Sequence, residues 1–549
     1  MNAAHQDIAA TVRAVVQKHS QYADEALQNH ALLQEDLGID SIMLAGIVSE
    51  LNSLLQTRVN VSPGDSDTLV SLSARFVAQA PAQVPAPMPS EETRNADPAA
   101  LARAAVAAAA AFTSPSVATG DNGSSAGNKA TMRDFVGNGT DPDIFTKTRR
   151  FQRFQRERAE QGHFWYGMAS RGRSSNRARI FDRHEGRERE FLLFASNNYL
   201  GLANDERVLD AIQQASREYG ATNTGSRLIA GTTEVHQVLE RKLAQLKGRE
   251  DCLVFPSGYS ANLGTIAALV GPGDQVIGDV YNHMSIQDGC KLSGATRRLY
   301  PHNDMQALED MLARHEDQPG GRLIVADGVF SMHGDIVHLP ELLKLAQRYQ
   351  ARVLIDEAHS TGVLGATGSG TTEHFQLKGR VDLEVGTMSK ALGGQGGFVV
   401  GDAEVIDYLR YYANSYVFAA TIPAPVAAGL NASLDIMAAE PERLVRLWSN
   451  IDYLKTSLDR LGFDTEQSNS AIIPVRIGDE TLAMNMGRSL RRRGLYCQTV
   501  VFPGVAVGDA RLRISVLESH TRQDLDQALD MLLEAAQENR LPLREALAA

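Results

Sequence analysis

A lysine, a carboxylate and an imidazole each follow an apolar stretch in the second half of the chain. His283 comes after QVIGD, Asp356 ends RVLID, and Lys390 lies three residues beyond LEVGT. A desolvated lysine can serve as a nucleophile or a base, and a carboxylate can keep a ring nitrogen protonated. Taken singly, Lys390 could be a surface lysine and His283 a structural histidine. Spacing alone does not show that Asp356 and Lys390 meet.

The segment FPSGYSAN adds a candidate anion site. Ser257, Gly258 and Tyr259 lie between an apolar strand pattern and a helical pattern. The start of a helix presents free backbone N–H groups, which bind phosphate well. An ordinary strand-to-helix turn would explain the glycine but has no special need for the serine.

Two further segments carry polar residues at predicted strand ends. Ser331 lies in DGVFSMHGD, and His359 follows Asp356 in LIDEAHSTGVLG. Pyridoxal phosphate needs a lysine to hold it, a carboxylate at its pyridine nitrogen and a flat side chain against its ring. Lys390, Asp356 and His283 supply these three groups.

In chain order, the segments SNNYLGL, GSRLIAGT, PSGYSAN, NHMSIQDG, GVFSMHGD, DEAHSTGVLG, TMSKALG and RLRISV resemble the α-oxoamine synthase family. The family belongs to the fold-type I pyridoxal-phosphate enzymes. It includes 8-amino-7-oxononanoate synthase, glycine C-acetyltransferase, 5-aminolevulinate synthase and serine palmitoyltransferase. The resemblance spans about residues 190–530 and is carried by the order of the whole set.

The resemblance implies roles for individual residues. Lys390 would hold the cofactor and move the α-proton, Asp356 would pair with the pyridine nitrogen, His283 would stack on the ring, and His359 would lie near the phenolic oxygen. The positions implied to contact the cofactor are Ser257, Gly258, Tyr259, His283, Ser331, Asp356, His359, Thr387, Lys390 and Thr421.

The resemblance also implies a shared dimer site and an amino-acid site. Thr421 would reach the phosphate of the partner subunit in a homodimer. Asn197 and Arg513 would bind the carboxylate of the amino acid, since a guanidinium pairs bidentately with a carboxylate. A surface ion pair is the alternative for Arg513. His333 departs from the family, because several relatives have Asp in this turn.

Ser41 is the candidate for a covalent modification near the N-terminus. It follows Asp40 in DLGIDSIMLAGIVSEL, just before an amphipathic helical pattern. A plain helix N-cap is the ordinary explanation. Residues 1–79 hold nine acidic and four basic residues, a net charge of −5. An acidic helical domain with an Asp-Ser dipeptide resembles an acyl or peptidyl carrier protein, which implies 4′-phosphopantetheine on Ser41; Ile42 stands where many carriers have Leu.

The remaining patterns divide the chain into five regions and define its fold class. We predict an all-α carrier bundle, an α/β fold-type I transferase with a mostly parallel sheet, and a smaller α+β domain, because β-branched runs alternate with helical patterns. The linker is rich in Ala, Pro, Gly and Ser and would reach roughly 35–45 Å if flexible. The regions are 1–79 (carrier), 80–130 (linker), 131–195 (N-terminal arm), 196–430 (cofactor-binding large domain) and 431–549 (small domain).

The composition limits which partners and which cellular compartment we expect. The net charge of −12 argues against nucleic acid as the main partner. Three cysteines give no disulfide framework, and no signal peptide or stretch of about 18 apolar residues is recognised. We therefore expect a cytoplasmic protein with no membrane span and no metal. A carrier domain implies a phosphopantetheinyl transferase and an acyl-loading enzyme as partners.

The two resemblances together predict an acyltransferase. A small amino acid would condense with an acyl thioester, lose carbon dioxide and give an α-aminoketone in polyketide or fatty-acid-derived secondary metabolism. The tether indicates that the acyl group sits on Ser41, because tethering raises its local concentration towards millimolar. Coenzyme A as the donor, another fold-type I reaction such as an aldolase or aminotransferase, and an inactive docking module remain open. Glycine, alanine and serine also remain open as the amino acid.

Overall fold

A computed structural model describes most of the chain. The described residues are 3–20, 27–29, 31–34, 37–39, 41–55, 57, 59, 68–79, 135, 143–163 and 166–544. Asp40 and the predicted linker 80–130 lie outside them. The helices are α1 Ala3–Ser20, α2 Ser41–Leu55, α3 Leu69–Gln79, α4 Thr146–Glu160, α5 Glu206–Tyr219, α6 Glu234–Lys247, α7 Gly258–Leu269, α8 Met284–Ser293, α9 Met305–Arg314, α10 Leu339–Arg348, α11 Thr371–His374, α12 Ala403–Tyr412, α13 Asn414–Val417, α14 Ala424–Ala439, α15 Glu442–Arg460, α16 Glu480–Arg493 and α17 Arg522–Asn539.

The strands fall into three sheets within residues 166–544, all of which are described. They are β1 Ser170–Arg171, β2 Arg177–Asp182, β3 Arg187–Leu193, β4 Asp251–Phe255, β5 Gln275–Asp279, β6 Thr296–Tyr300, β7 Arg322–Asp327, β8 Arg352–Asp356, β9 Leu383–Thr387, β10 Gly397–Gly401, β11 Ile472–Gly478, β12 Leu495–Tyr496, β13 Gln498–Val500 and β14 Ala510–Ser515. The small sheets have the orders β1-β2-β3-β12 and β11-β14-β13.

The large sheet has the strand order β4-β10-β9-β8-β7-β5-β6. Strand β10 runs antiparallel to both of its neighbours, while β9, β8, β7, β5 and β6 pair in parallel. Its central strands are buried on both faces, as expected when helices cover a parallel sheet. The carboxyl ends of β4, β5, β7, β8 and β9 consequently meet at one edge.

The sequence patterns located this sheet well, with two exceptions. The predicted strands 251–255, 275–279, 322–327, 352–356, 383–387 and 397–401 are confirmed. Strand β6 was missed, because its sequence TRRLY mixes two arginines with apolar residues at the edge of the sheet. The prediction of a mostly parallel sheet is confirmed, but the reversed direction of β10, which makes the sheet mixed, was not predicted.

The N-terminal region contains three helices in its described part. Helices α1, α2 and α3 cover the three predicted segments and bury one face each. Their shared core includes Val12, Val16, Ile47, Leu51, Leu72 and Phe76, all of them about fully enclosed. Residues 148–176 form a basic stretch with several aromatic residues, a pattern that predicts an amphipathic helix; helix α4 covers its first half and buries Phe154.

The C-terminal region mixes helices with the sheet β11-β14-β13. The predicted strands 471–477 and 511–516 correspond to β11 and β14, each shifted by one residue. Helices α15, α16 and α17 cover this sheet and share a hydrophobic core with the large domain. In the described part of the chain, no helix combines the length and apolarity needed to cross a membrane.

Candidate active site

The predicted site residues gather at the carboxyl-end edge of the large sheet. Asp327, Asp356 and Thr387 are the last residues of β7, β8 and β9. His283 begins α8 shortly after β5, and Lys390 lies in the turn after β9. The strand ends of an open α/β sheet are where ligands commonly bind.

Lys390 is half-buried in this group and carries a shifted pKa. Burial lowers the pKa of its amine to about 8, against the opposing charge of Asp356 and with help from Arg513. None of the described carboxylates lies within ion-pairing distance of the Lys390 amine. A substantial fraction of the amine is thus uncharged near neutral pH, as a nucleophile or base requires.

A buried hydrogen-bond network joins Asp356 to His283. The Asn262 amide donates to Asp356 Oδ2 over 2.6 Å and to Ser285 Oγ over 3.0 Å. Ser285 Oγ lies 2.8 Å from His283 Nδ1, and the Ala358 N–H holds the other Asp356 oxygen at 2.8 Å. The network fixes both side chains, because each is held from a second element.

The His283 ring is kept neutral and orientated. Burial lowers the pKa of His283, the charge of Asp356 opposes this, and the charge of Lys390 adds to it. The Ser285 N–H donates to His283 Nδ1, so the ring proton sits on Nε2. A neutral imidazole of this kind can stack against an aromatic ring.

Asp327 is a buried carboxyl beside Asp356 that the sequence analysis did not select. The two residues are register partners on β7 and β8. Burial and the neighbouring charge of Asp356 raise the pKa of Asp327 well above its usual range. Asp327 therefore favours its protonated form.

His359 and Tyr199 link the cofactor side to the amino-acid side. The Tyr199 hydroxyl lies 2.9 Å from His359 Nδ1 and donates to Asn197 Oδ1 over 3.2 Å. Burial lowers the pKa of His359 well below its ordinary value, and the charges of Lys390 and Arg513 add to this.

Arg513 is buried without an anionic partner. Its Nε donates to Ser331 O over 2.6 Å, and its terminal nitrogens contact Ser515 Oγ at 3.0 Å and Gln498 Oε1 at 3.3 Å. Asn197 Oδ1 lies 3.4 Å away, so the structure brings the two predicted carboxylate ligands together. All of the partners that Arg513 has among the described residues are neutral. A buried guanidinium held this way is suited to an incoming carboxylate.

The predicted anion site forms at the start of α7. Ser257 caps the helix, accepting from the Ser260 N–H over 3.1 Å. A Cβ on Gly258 would lie 2.8 Å from Thr387 Cβ, so only glycine allows the helix start to approach β9 this closely. The first N–H groups of α7 and the Thr387 hydroxyl consequently share one corner of the site.

Tyr259, Ser331 and His333 lie at the rim. The half-exposed Tyr259 donates to Asp288, which raises the pKa of the Tyr259 hydroxyl to about 12, and its ring meets His283 edge-on at 6.3 Å. Ser331 contributes its backbone carbonyl to Arg513. His333 stacks on Tyr281 at 4.3 Å, beside a cavity of about 1260 Å³.

Thr421 makes its contacts elsewhere in this chain. Its N–H donates to Gly225 O over 3.1 Å, and its hydroxyl lies 3.5 Å from His236 Nε2. The side chains of Ile229 and Phe418 on the same two loops are 85% and 84% exposed. Two large apolar side chains at such exposure are typical of a surface that another subunit covers.

Sequence reasoning missed residues that support the predicted ones. Asn262, Ser285, Asp327 and Tyr199 all lie inside motifs that had been selected for other members. The sequence feature that could have indicated them is a polar side chain within an otherwise apolar segment. Their decisive partners are distant along the chain: Asn262 reaches Asp356, and Tyr199 reaches His359. No spacing rule identifies such contacts.

The residues present fit pyridoxal phosphate. The site offers a lysine with a lowered pKa, a fixed carboxylate, a neutral imidazole, a helix start for phosphate and a guanidinium with no anion. The first four groups match the aldehyde, pyridine nitrogen, ring face and phosphate of the cofactor, and the guanidinium is left for the carboxylate of an amino acid. Within the described residues no cluster of His, Cys, Asp and Glu is arranged to hold a metal ion.

Comparison with known proteins assigns the chain to a family. Residues 189–532 match the family model "Aminotransferase class I and II". The chain belongs to this family, and its relatives are enzymes of the α-oxoamine synthase type, which depend on pyridoxal phosphate.

Individual relatives sharpen the assignment. A Serratia sp. protein, 4-hydroxy-2,2′-bipyrrole-5-methanol synthase PigH, is 52% identical over 532 residues, which cover 97% of this chain and 81% of that protein. The 8-amino-7-oxononanoate synthase of Symbiobacterium thermophilum is 46% identical over 341 residues, 62% of this chain and 87% of its own. The solved serine palmitoyltransferase of Sphingomonas wittichii has a TM-score of 0.69 and 33% identity, covering 73% of this chain and 100% of that structure.

Proposed function

We propose that the enzyme condenses serine with an acyl thioester carried on Ser41 and releases carbon dioxide, the free carrier thiol and an α-aminoketone. The reaction balances without an oxidant. The acyl–sulfur bond and the bond from the serine α-carbon to its carboxylate break, one carbon–carbon bond forms, and the thiol sulfur gains a proton. The main observation in favour of an amino-acid substrate is Arg513, which is buried and has no anionic partner among the described residues.

The chain's residues divide the work of this reaction. Arg513 and Asn197 hold the serine carboxylate, and this fixes the α-carbon beside Lys390. Lys390 removes and returns the α-proton, for which a pKa of about 8 is well matched. Asp356 keeps the pyridine nitrogen protonated, and the bound cofactor supplies the electron sink for the α-carbon. Neutral His283 packs on the ring, and Gly258, Ser257, Tyr259 and Thr387 hold the phosphate.

Serine is the amino acid that the relatives favour. The product named for the Serratia relative carries a methanol group beside a ring nitrogen and a hydroxyl on the next carbon. An α-aminoketone made from serine has this pattern of nitrogen, hydroxymethyl carbon and carbonyl. A β-ketoacyl donor bearing a pyrrole would then let the new amine close a second ring with loss of water.

The carrier as donor is supported by the N-terminal region. Ser41 begins α2, and Asp40 and Ser41 form the dipeptide typical of carriers. The Serratia relative matches over 97% of this chain, so its similarity includes this region. We propose that the enzyme works as a homodimer, with Thr421 contributing to the partner's phosphate site; the exposed Ile229 and Phe418 support such an interface.

The test is a single turnover with the full chain. The protein is phosphopantetheinylated, loaded with 3-oxo-3-(pyrrol-2-yl)propanoyl thioester, and mixed separately with serine, glycine and alanine. Intact mass follows loss of the acyl group, and product mass identifies the aminoketone or its cyclised form. We expect product with serine and none from the loaded Lys390→Ala variant.

Two outcomes would overturn parts of the proposal. Keto-acid formation from serine, without loss of the acyl group, would contradict condensation. Equal turnover of the coenzyme A thioester by the wild type and Ser41→Ala, with no discharge of loaded Ser41, would show that coenzyme A is the donor.

A further inference from the structure

The N-terminal helical domain lies against the free edge of the large sheet. Strand β6 pairs with β5 on one side only. On its other side the Leu299 N–H donates to Gln34 O over 3.3 Å. Gln34 O also accepts from the Gly38 N–H over 3.0 Å, so one carbonyl joins the N-terminal turn to the sheet.

Gly38 makes the closest approach in this contact. Its φ is +54°, and a Cβ there would lie 2.9 Å from both Arg297 Cβ and Arg297 O. The residues beside it are anchored, because Leu37 and Ile39 are buried in the core of the N-terminal helices. Gly38 thus presents a bare backbone to β6, while the buried side chains of Leu37 and Ile39 hold it in place.

Charge also matches across the contact. Residues 1–79 carry a net charge of −5, and Glu35, Asp36 and Asp40 flank Gly38 in the sequence. Strand β6 supplies Arg297 at the contact itself. Opposite charges of this kind set the orientation of docking and raise its rate.

A hydrogen bond connects the contact to the helix that begins at His283. The Arg297 guanidinium donates to Gln287 Oε1 over 3.1 Å. Gln287 lies four residues after His283, which places the two on the same face of the α8 helix start, one turn apart. On the other side, Ser41 follows Gly38 by three residues and begins α2.

We infer that residues 31–34 and 37–39, together with strand β6, form the docking interface through which the carrier domain of a chain presents Ser41 to its own synthase domain. The inference rests on the proposed function only in that Ser41 carries the donor. Gly38 and Arg297 define the interface, and Gln287 connects Arg297 to α8, the helix that His283 caps.

The first test measures transfer from the loaded arm. Arg297→Glu replaces the basic partner of an acidic domain, and we expect its single-turnover rate from loaded Ser41 to fall at least about tenfold, the equivalent of about 1.4 kcal/mol. Turnover of a soluble N-acetylcysteamine thioester bypasses the carrier and should stay at the wild-type rate. Arg348→Glu reverses an exposed charge on α10 and is the matched control, with both rates unchanged.

The second test reads the contact without any turnover. Asn tolerates a positive φ, so Gly38→Asn keeps the turn but adds a Cβ against Arg297. In hydrogen exchange on the full chain, the peptide covering β6 should gain deuterium faster in this variant. Peptides covering α2 and β7 should exchange as in the wild type, which shows that both domains remain folded.

The outcomes test the docking interface and the identity of the acyl donor separately. Unchanged β6 exchange in Gly38→Asn, or an unchanged loaded-arm rate in Arg297→Glu, overturns the docking interface. Wild-type protein that uses the soluble thioester but never discharges loaded Ser41 overturns the carrier as donor, while the exchange result still decides the interface.

Discussion

Two arginines lie two residues apart on strand β14 and are held in opposite ways. Arg511 is fully buried and pairs with Glu466 at 2.6 Å and with Asp509. Arg513 is 3% exposed and contacts only neutral groups among the described residues. The same residue type on one strand is therefore neutralised by the protein at one position and left open at the other.

Two lysines repeat the contrast. Lys247 is fully enclosed with Glu384 at 3.2 Å and Glu357 at 3.8 Å, both equally buried. Lys390 has no described carboxylate in ion-pairing range, and its pKa is lowered to about 8. A buried cation that pairs with carboxylates is part of the fold. A buried cation without a carboxylate partner indicates a functional site, because such a charge is retained where a ligand can neutralise it.

Removing a compensated cation should damage the fold most. Lys247→Met leaves two carboxylates buried without their cation, and we expect the free energy of unfolding to fall by about 3–5 kcal/mol. Chemical denaturation measures this. The triple variant Lys247→Met, Glu357→Gln, Glu384→Gln should recover most of the loss. A loss below about 1 kcal/mol for the single variant would contradict the comparison.

Removing an open cation should affect catalysis and spare the fold. Arg513→Met deletes two charge-assisted hydrogen bonds to the amino-acid carboxylate, so we expect KM for serine to rise about 100-fold. Initial rates at varied serine measure this, with cofactor absorbance as a check on the site. Arg513→Lys keeps the positive charge but cannot form the bidentate pair, so its KM for serine should be about tenfold lower than that of Arg513→Met. An unfolding free energy lowered as much as in Lys247→Met would place Arg513 with the structural cations.

The smallest effect concerns the pH at which Lys390 becomes reactive. The rate at which apoprotein takes up pyridoxal phosphate, followed by absorbance, should rise about tenfold per pH unit and level off above a pH of about 8. Asp356→Asn removes the charge that raises this pKa and should move the midpoint lower. Because the folded chain loses this proton before the unfolded chain does, unfolding free energy should increase with pH between about 8 and 10.5. A midpoint near 10.5 would contradict the burial of Lys390.

Most of the strands could be predicted from the sequence, while most of the contacts could not. The six predicted strands are apolar runs ended by polar residues, and burial on both faces produces that pattern. Strand β6 escaped because an edge strand tolerates arginines, and no local signal encodes the reversed direction of β10. The contact from Asn262 to Asp356 spans 94 residues, and its existence depends on topology rather than spacing. Family resemblance supplied the site residues; the ion pair of Lys247 and the supporting role of Asp327 needed the structure.

The covered edge of β6 has a consequence for the solution behaviour of the protein. An open edge strand offers unpaired N–H groups to strands of other molecules and so promotes self-association. Gln34 O accepts from the outward N–H of Leu299, and Gly38 packs against Arg297, two residues earlier on the strand. The N-terminal helices thereby shield this edge from pairing with another chain, so we expect a chain trimmed to its catalytic part to aggregate more readily.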